Sequence, residues 1–96
     1  MTTARRWQVT GRVQGVGFRA FVMELARNEG VVGYVRNLAD GRVETVAAGD
    51  SQSMNRVEQG LRKGPPLARV ETLIVEDINT VDLPSDFVVR SSEMSR

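Results

Sequence analysis

The sequence has no cysteine and no histidine. The first absence removes disulfides, zinc-thiolate sites and any thiol nucleophile. The second removes the commonest general base and the commonest transition-metal ligand. Chemistry in this chain therefore falls to Arg, Lys, Asp, Glu, Ser, Thr, Asn, Tyr or the backbone. No apolar run approaches the ~20 residues that span a bilayer. The opening Met1-Thr-Thr-Ala-Arg-Arg-Trp7 lacks the apolar stretch of a secretory leader. A net charge of +1 gives no broad field for nucleic acid or an anionic membrane. Aromatics are only 5% of residues, too few for a surface that stacks bases. These absences fit a cytoplasmic protein without a nucleic-acid or membrane partner; a monomer is simply the plainest expectation for a fold of this size.

What is present suits one domain spanning residues 1–96, with a core over about 5–90 and a polar, frayed tail at 91–96. Hydrophobic residues at 41% are enough for one core. Trp7, Val9, Gly11 and Val13 alternate with polar neighbours, the period of a half-buried strand. Phe18, Phe21, Val22, Leu25 and Ala26 then follow a helical period, and Gly30 suits its left-handed end. Val31 to Leu38 and Arg42 to Ala48 read as two strands joined at Asp40-Gly41, a strong hairpin signal. Gly49, Asp50 and Ser51 offer caps for a second helix buried through Met54, Val57 and Leu61 and stopped at Gly64-Pro65-Pro66. Gly60 inside that helix costs about 1 kcal/mol relative to Ala. Val70 to Ile78 reads as a fourth strand, Asn79 to Asp86 as a loop, and Phe87 to Val89 as a short last strand. The order βαββαβ, plus that extra strand, predicts an α+β ferredoxin-like sandwich: an antiparallel sheet with two helices on one face.

The segment Gly15-Val16-Gly17-Phe18-Arg19 lies between the first strand and the first helix. Glycines permit close approach of a ligand, and a helix start presents unpaired N–H groups and a positive dipole end. Arg19 adds a fork of donors suited to phosphate oxygens. Taken alone, the segment reads equally as a tight connection with a surface arginine. Gly15, Gly17 and Ala20 also fit a dinucleotide fingerprint, but that fold needs a parallel strand after the helix and a longer chain. A second cluster, Gly33-Tyr34-Val35-Arg36-Asn37, closes the second strand. Asn37 reads as turn chemistry or as a site residue. Alternation leaves Arg36 solvated and Tyr34 either in the core or on a pocket wall.

Gly11-Arg12-Val13-Gln14-Gly15-Val16-Gly17-Phe18-Arg19, with Gly33-Tyr34-Val35-Arg36-Asn37 and Gly41, Val43 and Gly49, resembles both signatures of the acylphosphatase family. Gly64-Pro65-Pro66, Ala68, Val70 and Phe87 extend the likeness to about residues 5–90. The resemblance implies hydrolysis of acyl phosphates to carboxylate and phosphate. It implies phosphate binding by Gln14, Gly15, Val16, Gly17, Phe18 and Arg19, and placement of the attacking water by Asn37, so that Arg19 and Asn37 are the catalytic pair. It implies no cofactor and no metal. A carboxylate leaving group, whose conjugate acid has a pKa of about 4, departs without a general acid. The absent histidine and cysteine therefore fit this substrate class. Two departures are Gly60, where the family has a bulky residue, and a tail beyond Arg90. The identity of the acyl group is not readable. A non-catalytic sensor of phosphate or carbamoyl phosphate is the alternative reading.

Overall fold

A computed structural model of the chain describes residues 2–79 and 82–93. Its elements run β1 (Thr2–Arg12), α1 (Phe18–Glu29), β2 (Val32–Asn37), β3 (Val43–Asp50), α2 (Ser51–Lys63), β4 (Arg69–Asp77) and β5 (Phe87–Val89). One sheet carries them in the order β4-β1-β3-β2-β5. β1 pairs antiparallel with both β3 and β4, and β2 antiparallel with β3. β5 lies parallel to β2. The four long strands pair as the expected antiparallel ferredoxin-like sheet, and the short extra strand β5 makes the whole sheet mixed. Thr80, Val81 and residues 94–96, parts of the expected loop and tail, lie outside the described residues.

Both helices cover one face. Trp7, Val9, Val35, Val43, Ala47 and Phe87 from the strands meet Phe18, Val22, Ala26, Met54, Val57 and Leu61 from the helices in one buried cluster. Trp7 is fully buried and its indole N–H donates to Glu58 on α2 at 2.9 Å, so its polar atom is satisfied. Asp50 caps α2 by accepting from the Ser53 amide at 3.4 Å. Gly30 ends α1 in the left-handed region and Gly64 ends α2.

Three readings of the sequence change. The alternation of β1 fails at Gly11, which is exposed, because the β1–β4 register shifts between Thr10 and Gly11. Such a bulge turns the following side chains, and Val13 reaches the core from beyond the strand. Arg36 is not simply solvated: it donates to Glu44 at 2.7 Å, and Arg6 flanks the same carboxylate at 3.3 Å. Glu44 is buried under this pair on the face that carries no helix. Tyr34 shares that open face and stacks under Arg90, whose guanidinium carbon lies 3.9 Å from the ring centre. It is therefore neither core nor pocket wall.

Gly60 also has a structural reason. A Cβ built there would sit 2.3 Å from Leu25 Cδ2 on α1. The missing side chain lets the two helices approach, so its helix-propensity penalty is offset by packing.

Candidate active site

The carboxyl end of β1, the start of α1, the end of β2 and the end of β5 come together at one end of the sheet. A recess of about 350 Å³ opens there, within the size range of small-molecule sites. Gly15 and Gly17 line one side, with φ of 74° and 78°. Both backbones are left-handed, a conformation that strains any residue with a side chain. Neither glycine would meet a neighbour if given a Cβ, so backbone angle rather than crowding calls for glycine.

Gly17 is the N-cap of α1 and makes no side-chain capping bond. The first helical bond runs from the Phe21 amide to the Gly17 carbonyl at 3.1 Å. The amides of Phe18, Arg19 and Ala20 precede it and have no intrahelical acceptor. They lie at the positive end of the helix, with no acidic side chain in the first turn to neutralise it. Phe18, though counted in the sequence among the phosphate-loop residues, sends its ring into the core.

Arg19 lines the recess and is partly buried. Its Nη1 donates to the Arg90 carbonyl at 3.3 Å and to Ser92 Oγ at 3.4 Å. Both acceptors are neutral. The ion pairs among the described residues all lie elsewhere. Asn37, the last residue of β2, lines the recess as well. Its backbone carbonyl accepts from the Glu93 amide at 2.8 Å. The tail is thus bonded through residue 93, not frayed from Ser91 onward.

Gln14 does not line the recess. Its Nε2 donates to the carbonyls of Leu38 and Arg42, each at 2.9 Å. The side chain ties the loop to the β2–β3 turn, a role that the sequence did not reveal. Val16 also turns away, packing against the core. At the same turn Arg42 hydrogen-bonds Asp40 through its side chain and its backbone N–H. These bonds hold the Asp40 carboxyl below its ordinary pKa and raise that of Arg42. Arg36 is likewise raised, chiefly by its hydrogen bond to Glu44. The described residues contain no cluster of three or more Asp or Glu positioned to hold a metal ion, and no helix long and apolar enough to cross a membrane.

This arrangement offers an anion two kinds of donor, helix-start amides and a guanidinium, with an amide side chain in the same recess. The acylphosphatase family profile matches residues 5–89. The chain belongs to the acylphosphatase family. Acylphosphatase from Halorhodospira halophila is 44% identical over 92 residues, spanning 93% of this chain and 99% of that one. Acylphosphatase from Deinococcus radiodurans is 52% identical over 65 residues, 68% of this chain and 75% of its own length. An acylphosphatase structure from Coxiella burnetii superposes with a TM-score of 0.87 at 40% identity, covering 93% of each chain. The activity that comes with this membership is hydrolysis of acyl phosphates, a reaction on an acid anhydride.

Proposed function

We propose that this acylphosphatase performs its hydrolysis in the recess at the start of α1. Arg19 and the backbone of Gly15 to Arg19 hold the phosphoryl group, and Asn37 places the water. The observation that carries the reading is the convergence of Arg19, the uncapped start of α1 and Asn37 on one cavity.

The phosphoryl oxygens take hydrogen bonds from the loop and first-turn amides and from the Arg19 guanidinium. Charge that spreads over these oxygens as the phosphorus–oxygen bond stretches is met by donors already in place. Asn37 orients one water in line with the departing carboxylate, a gain of position rather than of base strength. The water oxygen bonds to phosphorus, and the bond to the acyl oxygen breaks with its electron pair on the carboxylate. The water proton passes to a phosphoryl oxygen of the substrate. No side chain of the recess has to act as a base. Gln14 and Val16 serve this scheme as supports, through the turn and the core.

The reading takes the protein as a cytoplasmic monomer that needs no metal. The test uses benzoyl phosphate and, separately, an aryl phosphate monoester, both with excess chelator. Rapid loss of benzoyl phosphate that survives chelator and spares the monoester is expected. Folded protein that binds phosphate yet turns over neither compound would favour a sensor instead.

A further inference from the structure

The recess extends beyond the groups that the phosphoryl and water require. Ala20 and Met23 on α1 and Val89 on β5 also line it. Arg19 and Met23 are four residues apart, and Ala20 and Met23 three, so these side chains form one stripe on the helix surface. Val89 is paired with the fully buried Val35, and paired residues point to the same face of a sheet. Its side chain is therefore on the helix-covered face, yet it remains 41% exposed. Exposure on that face, at the last residue of the strand, opens into the recess. The other large exposed hydrophobics among the described residues, Leu67, Ile74 and Val75, lie on β4 or just before it, at the opposite edge of the sheet. Arg19 is the one charged side chain that lines the recess among the described residues.

We infer that Ala20, Met23 and Val89 form the acyl subsite, and that it selects acyl phosphates whose acyl group is apolar and uncharged, such as an aryl or short alkyl chain. The inference rests on Arg19 holding the phosphoryl group. With Arg19 so engaged, a carboxylate or ammonium on the acyl side would meet no partner and lose water. An apolar group instead covers surface that is otherwise wet. Each buried methylene is worth about a fourfold gain in binding, so the preference is modest for each carbon and grows with acyl size.

The experiment compares steady-state hydrolysis of benzoyl phosphate, acetyl phosphate and succinyl monophosphate, the last carrying a distal carboxylate, by wild type, Met23→Ala, Val89→Ala and Met23→Lys. In wild type, KM for benzoyl phosphate is expected to be at least about tenfold below that for acetyl phosphate, since the open recess covers only part of the ring, with succinyl monophosphate the poorest of the three. Met23→Ala and Val89→Ala should each raise KM for benzoyl phosphate about three- to tenfold. Their kcat/KM for acetyl phosphate should fall less than that for benzoyl phosphate, because a single methyl group covers less of the subsite, while their inhibition by inorganic phosphate should stay within about twofold, because the phosphate groups are untouched. Met23→Lys should improve succinyl monophosphate relative to benzoyl phosphate. Equal KM values in wild type, or substrate ratios unmoved by all three substitutions in folded protein, would overturn the subsite while leaving the phosphate reading intact. Absence of turnover with every substrate would overturn both together.

Discussion

Gln14 Nε2 donates to the carbonyl oxygen of Leu38 at 2.9 Å, which joins the loop before α1 to the residue immediately after Asn37. The second bond of the same nitrogen, to Arg42, closes the turn from its other side. Gln14→Ala removes both of these bonds, while the Leu38 and Arg42 carbonyls keep their backbone donors, the amides of Gly41 and Leu38. A loss of about 1–3 kcal/mol is expected, read by urea unfolding. Catalysis should fall as well, since Arg19 and Asn37 no longer share a fixed frame. Gln14→Glu should be at least as harmful, because an acceptor would then face two acceptors. Unchanged stability in both variants would remove the bracing role.

Arg19→Ala should lower kcat/KM for benzoyl phosphate by at least about 10² to 10³. Stability should change little, as the side chain is partly exposed and bonds only neutral acceptors of the tail. Arg19→Lys retains charge but loses the planar fork, so it should recover only part of the loss. Near-normal turnover by a folded Arg19→Ala would sink the assignment.

Asn37→Ala should abolish most turnover while inorganic phosphate still inhibits residual activity or binds by calorimetry with nearly wild-type affinity. Its backbone bond to Glu93 does not depend on the side chain. Loss of phosphate affinity in this variant would mean that Asn37 holds the phosphoryl group rather than the water.

The packing of Gly60 against Leu25 is suited to a double-mutant cycle. Gly60→Ala alone should fail to deliver the roughly 1 kcal/mol that helix propensity offers. In a Leu25→Ala background the gain should appear. A coupling of about 0.5–3 kcal/mol is expected for residues in contact, measured from unfolding free energies of the four proteins. Strict additivity would show that Leu25 moves aside freely.

Asp40 ionises below its ordinary value of 3.8 because Arg42 hydrogen-bonds the charged form. A depressed carboxyl stabilises the fold above its unfolded pKa, and the contribution fades as pH falls through the folded one. Wild type should thus exceed Asp40→Asn in Tm at neutral pH, with the difference shrinking in acid below about pH 4. Carbon-detected titration of the Asp40 carboxyl gives the same sign directly. The exposed setting keeps the effect small.

Much of the fold was legible because local chemistry and tertiary structure agreed. The Asp40-Gly41 signal lies in the turn that joins β2 and β3, Phe18 opens α1, and Asp50 caps α2. Legibility failed where partners distant in sequence decide. A three-residue β5 carries too little pattern to announce a parallel neighbour. Tyr34 and Arg36 share the open face of the sheet, where Arg90 and Glu44 claim them, and alternation alone does not name such partners. Of the loop, the glycines' unusual backbone angles were readable from their chemistry, whereas the loop alone left Arg19 equally a surface charge and only the family resemblance singled it out. That Gln14 faces the turn is a tertiary fact, set by two carbonyls more than twenty residues away.

The tail bonds of Arg19 and Asn37 carry a practical consequence for anyone handling the protein. Arg90, Ser92 and Glu93 touch those two residues, whereas Thr2 pairs with Asp50 at the far end of the sheet. An affinity tag or fluorophore joined directly after residue 93 would start beside the recess and compete for the contacts that steady its arginine. The same label attached ahead of Thr2 would report from the opposite pole and leave turnover undisturbed.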